Sequence, residues 1–103
     1  MPTIVVLFNL KPGASEADYL QWAREKDIPT VRSLKHSVAD FRVLKMGNLL
    51  GTEIASPYQY CELIEVSDMQ QFFQDIQSPA VQEGSKVFAS FADNPQFIVA
   101  SDI

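Results

Sequence analysis

Two side chains are placed where they could transfer a proton, Asp27 and His36. His36 is the only histidine, and an imidazole titrates near neutral pH, which suits general acid–base catalysis. Asp27 follows Ala23 and precedes Val31 at intervals of four residues, so its carboxyl joins an apolar helical stripe. A carboxylate on such a stripe must be paired, hydrogen-bonded or shifted in pKa. We therefore predict Asp27 and His36 as catalytic residues.

Both residues also have structural interpretations that involve no chemistry. His36 stands beside Lys35 and could be a solvated loop residue. Asp27 lies ahead of Pro29 and could cap a new helical turn by accepting backbone N–H bonds. The residues alone leave these alternatives open.

Further polar and aromatic side chains could bind a substrate. Tyr58, Tyr60 and Glu62 alternate along one predicted strand, so they share a face that could line a ligand cavity. An exposed edge or a dimer contact would explain the same three residues equally well. Asn9 could donate a hydrogen bond to a substrate oxygen or simply end its strand, and Trp22 could form an apolar wall or pack in the core.

The sequence lacks the spacings of several common sites. A single histidine and the single cysteine, Cys61, provide no metal-ligand motif and no internal disulfide, so no metal ion is predicted. Gly47 and Gly51 do not connect a strand to a helix, and no nucleotide fingerprint is present, so no cofactor is predicted. The net charge of -5 without a basic cluster argues against nucleic acid and anionic membranes as partners.

These side chains would be positioned by one α+β domain spanning residues 1–103. Runs of β-branched residues bounded by turn residues predict strands over residues 3–10, 38–45, 58–66 and 96–100. Capping residues and helical spacing predict helices over residues 15–27, 68–76 and 78–91, with a break or restart at Pro29. Ser15 and Ser67 cap the first two, and Ser78-Pro79 stops the second and opens the third. Asn94-Pro95 is predicted as a turn. The β-α-β-β-α-β order predicts a ferredoxin-like, four-stranded antiparallel sheet with helices on one face.

The first strand is apolar on both sides. Ile4, Val6 and Phe8 point one way, and Val5 and Leu7 point the other. A strand that faces water on one side should alternate with polar residues, so both faces of this sheet must be covered. Because the helices cover only one, we expect a second copy to cover the other by two-fold symmetry.

No segment has the pattern of a secretory signal, and no apolar run approaches the ~18 residues that span a bilayer. We therefore expect a cytoplasmic protein that does not enter membranes.

Four stretches carry a family resemblance: TIVVLFNLKPG, YLQWAREKDIPTVRSL, PYQYCELIEV and DMQQFFQDIQSPAV. Together they resemble the REDY-like family, a branch of the dimeric α/β-barrel superfamily that is associated with prodigiosin-type pigment biosynthesis. The resemblance implies that two sheets pack face to face as an eight-stranded barrel, with a pocket in each subunit between sheet and helices. Superfamily members include cofactor-free monooxygenases, isomerases and cyclising enzymes, so the reaction type carries over by analogy only.

The resemblance and the polar cluster together predict a cofactor-independent enzyme that acts on an aromatic or pyrrolic intermediate of pigment or related secondary-metabolite biosynthesis. Asp27 or His36 would move a proton. The substrate-binding residues would be Asn9, Trp22, Tyr58, Tyr60 and Glu62. The alternative is a non-catalytic homodimer that binds or carries such a molecule, since it would need the cavity but no titrating group.

Overall fold

The computed structural model describes residues 1–103 and contains one four-stranded antiparallel sheet in the order β2-β3-β1-β4. Its strands are β1 (Thr3–Leu10), β2 (Val38–Lys45), β3 (Tyr60–Val66) and β4 (Ala92–Ala100). The helices are α1 (Glu16–Trp22), a π-helical turn (Ala23–Asp27), α2 (Ile28–Arg32), α3 (Met69–Asp75) and α4 (Pro79–Phe91). The predicted ferredoxin-like α+β fold is thereby confirmed.

The chain stays helical past Pro29: after the π-helical turn the predicted restart occurs as α2, which begins at Ile28 with Pro29 in its first turn and continues to Arg32. The Ser15 hydroxyl caps the start of α1, as predicted, by accepting a backbone N–H bond. The π-helical turn ends two residues before the proline, and the Ile28 N–H bonds to the Ala23 carbonyl five residues earlier. A proline inside an α-helix lacks its donor and clashes with the carbonyl four residues before it. The wider turn accommodates this ring, so the chain stays helical.

The predicted turn at Asn94-Pro95 is wrong, because both residues lie inside β4. β4 is an edge strand, and an edge tolerates a proline whose missing N–H would otherwise break a ladder bond. Asn94 adopts a positive φ of 46°, and the register with β1 shifts between Leu7 and Asn9. These features mark a bulge that absorbs the turn signal without ending the strand.

Two other boundaries differ from the sequence prediction. β3 begins at Tyr60, because Asn9 replaces ladder pairing just before it. The Asn9 side chain accepts the Gln59 N–H (2.9 Å) and donates to the Pro57 carbonyl (3.2 Å). Helix α3 is capped by Asp68 rather than Ser67, through a 3.0 Å bond from the Gln71 N–H.

The core lies between the helices and one face of the sheet. It forms two clusters, one of Val6, Phe8, Tyr19, Ala23, Tyr60 and Ala92, the other of Val38, Phe41, Val66 and Phe72. Phe8 is the centre of the first, with its ring 5.7 Å from Tyr19, 5.6 Å from Tyr60 and 4.9 Å from Phe88 between centroids. The packing joins β1 and β3 to α1 and β1 to α4.

The opposite face of the sheet carries no helix, and its centre is apolar, with Arg42, Glu65 and Gln96 around it. Val5 pairs with Leu63 on one side and Ile98 on the other, and Leu7 pairs with Cys61. Ile98 is 45% exposed in the single chain. The two-sided apolar character predicted for β1 is therefore present, and this surface is called the open face below.

Replacing Phe8 with alanine should lower the free energy of unfolding by about 3–5 kcal/mol, because it empties the centre of the larger cluster. The matched control is Phe73→Ala, whose ring is 57% exposed and whose loss should cost about 0.5 kcal/mol or less. Denaturant unfolding at equal protein concentration measures both. Similar losses for the two variants would contradict the assignment of Phe8 to the core.

Candidate functional site

A cavity of about 910 Å³ lies between the sheet and the helices and is lined mainly by apolar side chains. The sheet contributes Ile4, Glu62 and Ile64, whereas Trp22 and Asp27 come from the first helical segments. Helix α4 and β4 line another side, where Phe97 of β4 stays 64% exposed. Cavities of this size accommodate small organic ligands, and a few polar groups among apolar walls usually orient them.

Glu62 is the polar group in the cavity floor. It pairs with Val6 on β1 and Val43 on β2, so its side chain points to the helical side among apolar neighbours. The residue is only 6% exposed, and its Oε2 atom has no hydrogen-bond partner. Burial, with a smaller contribution from the charge of Asp27, raises the pKa of Glu62 to about 8. The carboxyl is therefore mostly protonated at neutral pH and can donate a hydrogen bond.

Asp27 faces the same cavity from the end of the π-helical turn. Its side chain makes no capping hydrogen bond, which removes the structural interpretation left open by the sequence. The carboxyl instead lies among apolar side chains, as its helical spacing from Ala23 and Val31 predicted. Burial raises the pKa of Asp27 to about 6, so the group is mostly ionised at pH 7.

The two carboxyls thus hold opposite protonation states near neutral pH. Asp27 can accept a proton while Glu62 can donate one, the division of labour used by enzymes with two unequal carboxyl groups. The Tyr19 hydroxyl is also fully buried and unpartnered. Burial first, and then the charges of Glu62 and Asp27, raise the pKa of Tyr19 well above its usual range, so it stays protonated.

Three of the seven predicted site residues line this cavity: Asp27, Glu62 and Trp22. Sequence reasoning gave Glu62 only a substrate-binding role. Its central position on the helical side of β3, which imposes the desolvation, could be identified only after the strand order was known. Tyr19 was not among the predicted site residues, because a tyrosine at core spacing gives no signal that its hydroxyl lacks a partner.

The two remaining tyrosines lie elsewhere. Tyr60 is buried in the aromatic core, and its hydroxyl donates to the Glu16 carboxylate. Tyr58 precedes β3 and lines a separate, smaller cleft of about 250 Å³ together with Glu16 and Lys45. Tyr60 and Glu62 share the helical side of β3, as predicted, whereas Tyr58 lies before the strand, and only Glu62 of the three lines the larger cavity.

Asn9 and His36 also lie outside the cavity lining. Both polar ends of the Asn9 amide are engaged with residues 57 and 59, so Asn9 fixes the start of β3. His36 is exposed in the turn between α2 and β2, on the side where Asp75 lies. Neither residue is positioned to contact a ligand held by Asp27 and Glu62.

The structure contains no cluster of three or more histidine, cysteine, aspartate or glutamate side chains that could hold a metal ion. None of its helices combines the length and apolar composition needed to cross a bilayer.

The sequence profile of the family described as "REDY-like protein HapK" matches residues 2–103. The chain belongs to this family. A search of curated proteins finds no match. The crystal structure of HapK from Hahella chejuensis is similar at a TM-score of 0.79 and 23% identity, covering 100% of this chain and 93% of that one.

Other solved structures share the fold at lower identity. A dabb family protein with a ferredoxin-like fold from Mesorhizobium loti has a TM-score of 0.71 at 14% identity, covering 99% and 96% of the two chains. A dimeric ferredoxin-like protein of unknown function from Thermobifida fusca has a TM-score of 0.68 at 12% identity, covering 98% and 90%. These similarities establish the fold, and the family rests on the profile match.

Replacing Glu62 with glutamine should remove a pH-dependent loss of stability. The pKa of Glu62 in the folded chain is raised to about 8 from 4.5. Below about pH 4.5 the carboxyl is protonated in both the folded and the unfolded chain, so its ionisation does not lower the free energy of unfolding there. Its cost grows as the pH rises from there through the folded pKa, reaching a few kcal/mol. Glu62→Gln should therefore gain stability over the wild type with rising pH, whereas the remaining slope reflects Asp27.

The measurement is the free energy of unfolding from about pH 4 to about pH 9 at fixed protein concentration. The control is Glu83→Gln, which removes an exposed carboxylate. Parallel profiles for wild type and Glu62→Gln would show that Glu62 is not desolvated.

Proposed function

We propose that this chain is a small enzyme that transfers a proton to or from an aromatic or pyrrolic molecule held in the apolar cavity, without a cofactor. The observation that carries the proposal is the placement of Asp27 and Glu62 in one cavity, with pKa values displaced to about 6 and about 8. Perturbed carboxyls facing a ligand-sized cavity are characteristic of functional sites.

The chemistry follows from the protonation states. Asp27 accepts a proton from a carbon or nitrogen of the bound ring, and Glu62 donates one to the atom where negative charge develops. Glu62 is buried, and a hydrogen bond from a buried group to a developing charge is stronger than in solution. Trp22 provides a flat apolar wall against which a planar ring can stack. Solvent returns both carboxyls to their starting states after release of the product.

Family membership supports a pyrrolic substrate, since REDY-like proteins are associated with prodigiosin-type pigments. The pathway itself and the cytoplasmic location stay predictions from the sequence. His36, Asn9, Tyr58 and Tyr60 have no part in the proposed chemistry, because each lies outside the cavity lining.

We also propose that a second copy of the chain covers the open face by two-fold symmetry. The face presents Val5, Leu7, Leu63 and Ile98, and no element of the same chain covers them. An apolar sheet face of this kind is a typical isologous interface. The dimeric ferredoxin-like protein of Thermobifida fusca supports this arrangement by its similar fold.

Replacing Asp27 with asparagine should slow proton exchange by about 10²–10⁴-fold, because the base is lost while the shape of the side chain is kept. The assay follows deuterium incorporation into a panel of alkylpyrroles and pyrrole aldehydes by NMR, in buffer containing a chelator. The control is His36→Asn, which should retain the wild-type rate because His36 is exposed and outside the cavity.

An unchanged rate in Asp27→Asn would contradict the role of Asp27. Binding of the same pyrroles by the wild type with no exchange at any of them would favour the non-catalytic carrier. Circular dichroism verifies that each variant is folded.

Replacing Leu63 with lysine should convert a dimer to a monomer, because a charge would be buried in the centre of the proposed interface. The matched control is Phe73→Lys, which changes an exposed residue of α3 on the helical side. Sedimentation velocity measures both masses. A monomeric wild type, or a Leu63→Lys dimer, would contradict the proposed interface.

A further inference from the structure

The cavity combines carboxyl groups with several aromatic rings. Besides Asp27 and Glu62, its lining includes the aromatic side chains of Trp22, Phe41, Phe72, Phe88 and Phe97. Aromatic faces carry negative electrostatic potential and attract cations, most strongly where water is excluded. Both kinds of group therefore favour a positive ligand over a neutral or negative one.

No buried cation of the chain balances these groups. The only basic side chains that line the cavity are Lys11 and Lys26, and both residues are exposed at its rim, together with the exposed Glu83. Asp27 faces the interior without a cationic partner. An unpaired carboxylate is costly to bury. A ligand that supplies the missing positive charge therefore gains binding free energy by pairing with it.

The hydrogen-bonding capacity of the cavity is also unfilled. Glu62 Oε2 is buried and has no partner, and Asp27 makes no capping bond. Two carboxyls can accept two N–H donors, and such bonds are shortest and strongest when donor and acceptor carry opposite charge.

We propose that the cavity selects a planar aromatic cation that bears N–H groups, with those groups directed at Asp27 and Glu62 and the ring lying among the aromatic side chains. This rests on the proposed function, since it assigns the charge class of the substrate to the same site. A neutral ring of equal shape binds more weakly, and an anionic ring binds worst.

Binding of a cation is coupled to the charge of the two carboxyls. Affinity for the cation should rise with pH as Asp27 and then Glu62 ionise. Two core tyrosines, Tyr19 of α1 and Tyr60 of β3, lie outside the cavity lining. Burial raises the pKa of both above their usual range, so neither contributes a charge here. The pKa of Cys61, on the opposite face of β3, is likewise raised by burial. Lys11, Lys26 and Glu83 border only the rim.

The test uses three unreactive fluorescent tricycles of similar shape: aminoacridine as the cation, hydroxymethylanthracene as the neutral ring and anthracenecarboxylate as the anion. Each is titrated with the intact wild-type chain at about pH 8, where both carboxyls are at least partly ionised. We expect the cation to bind at least about 10-fold tighter than the neutral ring, and the anion to bind weakest.

The double variant Asp27→Asn/Glu62→Gln should reduce this preference to about 3-fold or less, since only the aromatic contribution remains. The control Glu53→Gln removes an exposed carboxylate outside the cavity lining and should leave the preference unchanged. A second measurement needs no variant. Lowering the pH to about 5 should reduce the affinity of the wild type for the cation by about 10-fold and leave its affinity for the neutral ring unchanged.

The proposal is overturned if the neutral ring binds the wild type as tightly as the cation, or if the preference survives in the double variant or at low pH. Such a result would leave proton transfer to a neutral substrate intact. Conversely, loss of the Asp27-dependent exchange would leave the cation preference standing, because these probes do not react.

Discussion

The burial of one carboxyl group among apolar side chains is the constraint on which the rest of the site depends. Glu62 occupies a position on the central strand β3 where the residues paired with it are valines. Ionisation of a carboxyl at this buried position costs free energy, and Oε2 of Glu62 has no hydrogen-bond donor within the chain. The fold is compatible with it only because the group binds a proton and because a cavity adjoins it. The same position in an exposed strand would have no chemical significance.

The helical layer brings the second carboxyl to the first. A regular α-helix over residues 16–32 would place Pro29 against a carbonyl one turn earlier. The π-helical turn over Ala23–Asp27 relieves that clash, and it ends at the residue that faces Glu62. Single π-helical turns are frequent at functional sites, where they rotate a side chain relative to its helix. The proline and the acidic side chain are therefore linked through backbone geometry.

The sequence predicted correctly those structural elements that local residue patterns determine. β1 and β2, the cap at Ser15, the helix start at Ser78-Pro79 and the element order follow from periodicity and turn chemistry, and all agree with the structure. It erred at Asn94-Pro95, where edge position overrides a turn signal, and at Tyr58, where a side-chain bond from Asn9 replaces strand pairing. Asp27 was identifiable from helical spacing, but the displaced pKa of Glu62 depends on long-range pairing that no local pattern contains.

The two faces of β3 are not independent. Glu62 points to the cavity, whereas its neighbours Cys61 and Leu63 point to the open face, where solvent reaches Ile98 and part of Leu63 in the single chain although Cys61 is buried. A second copy on that face would remove this water from the far side of the strand. The dielectric around Glu62 would fall further, and its protonated form would be favoured more strongly. Assembly and acid–base chemistry would then be coupled through one strand, because the surface that joins two chains is the reverse side of the surface that holds the acid.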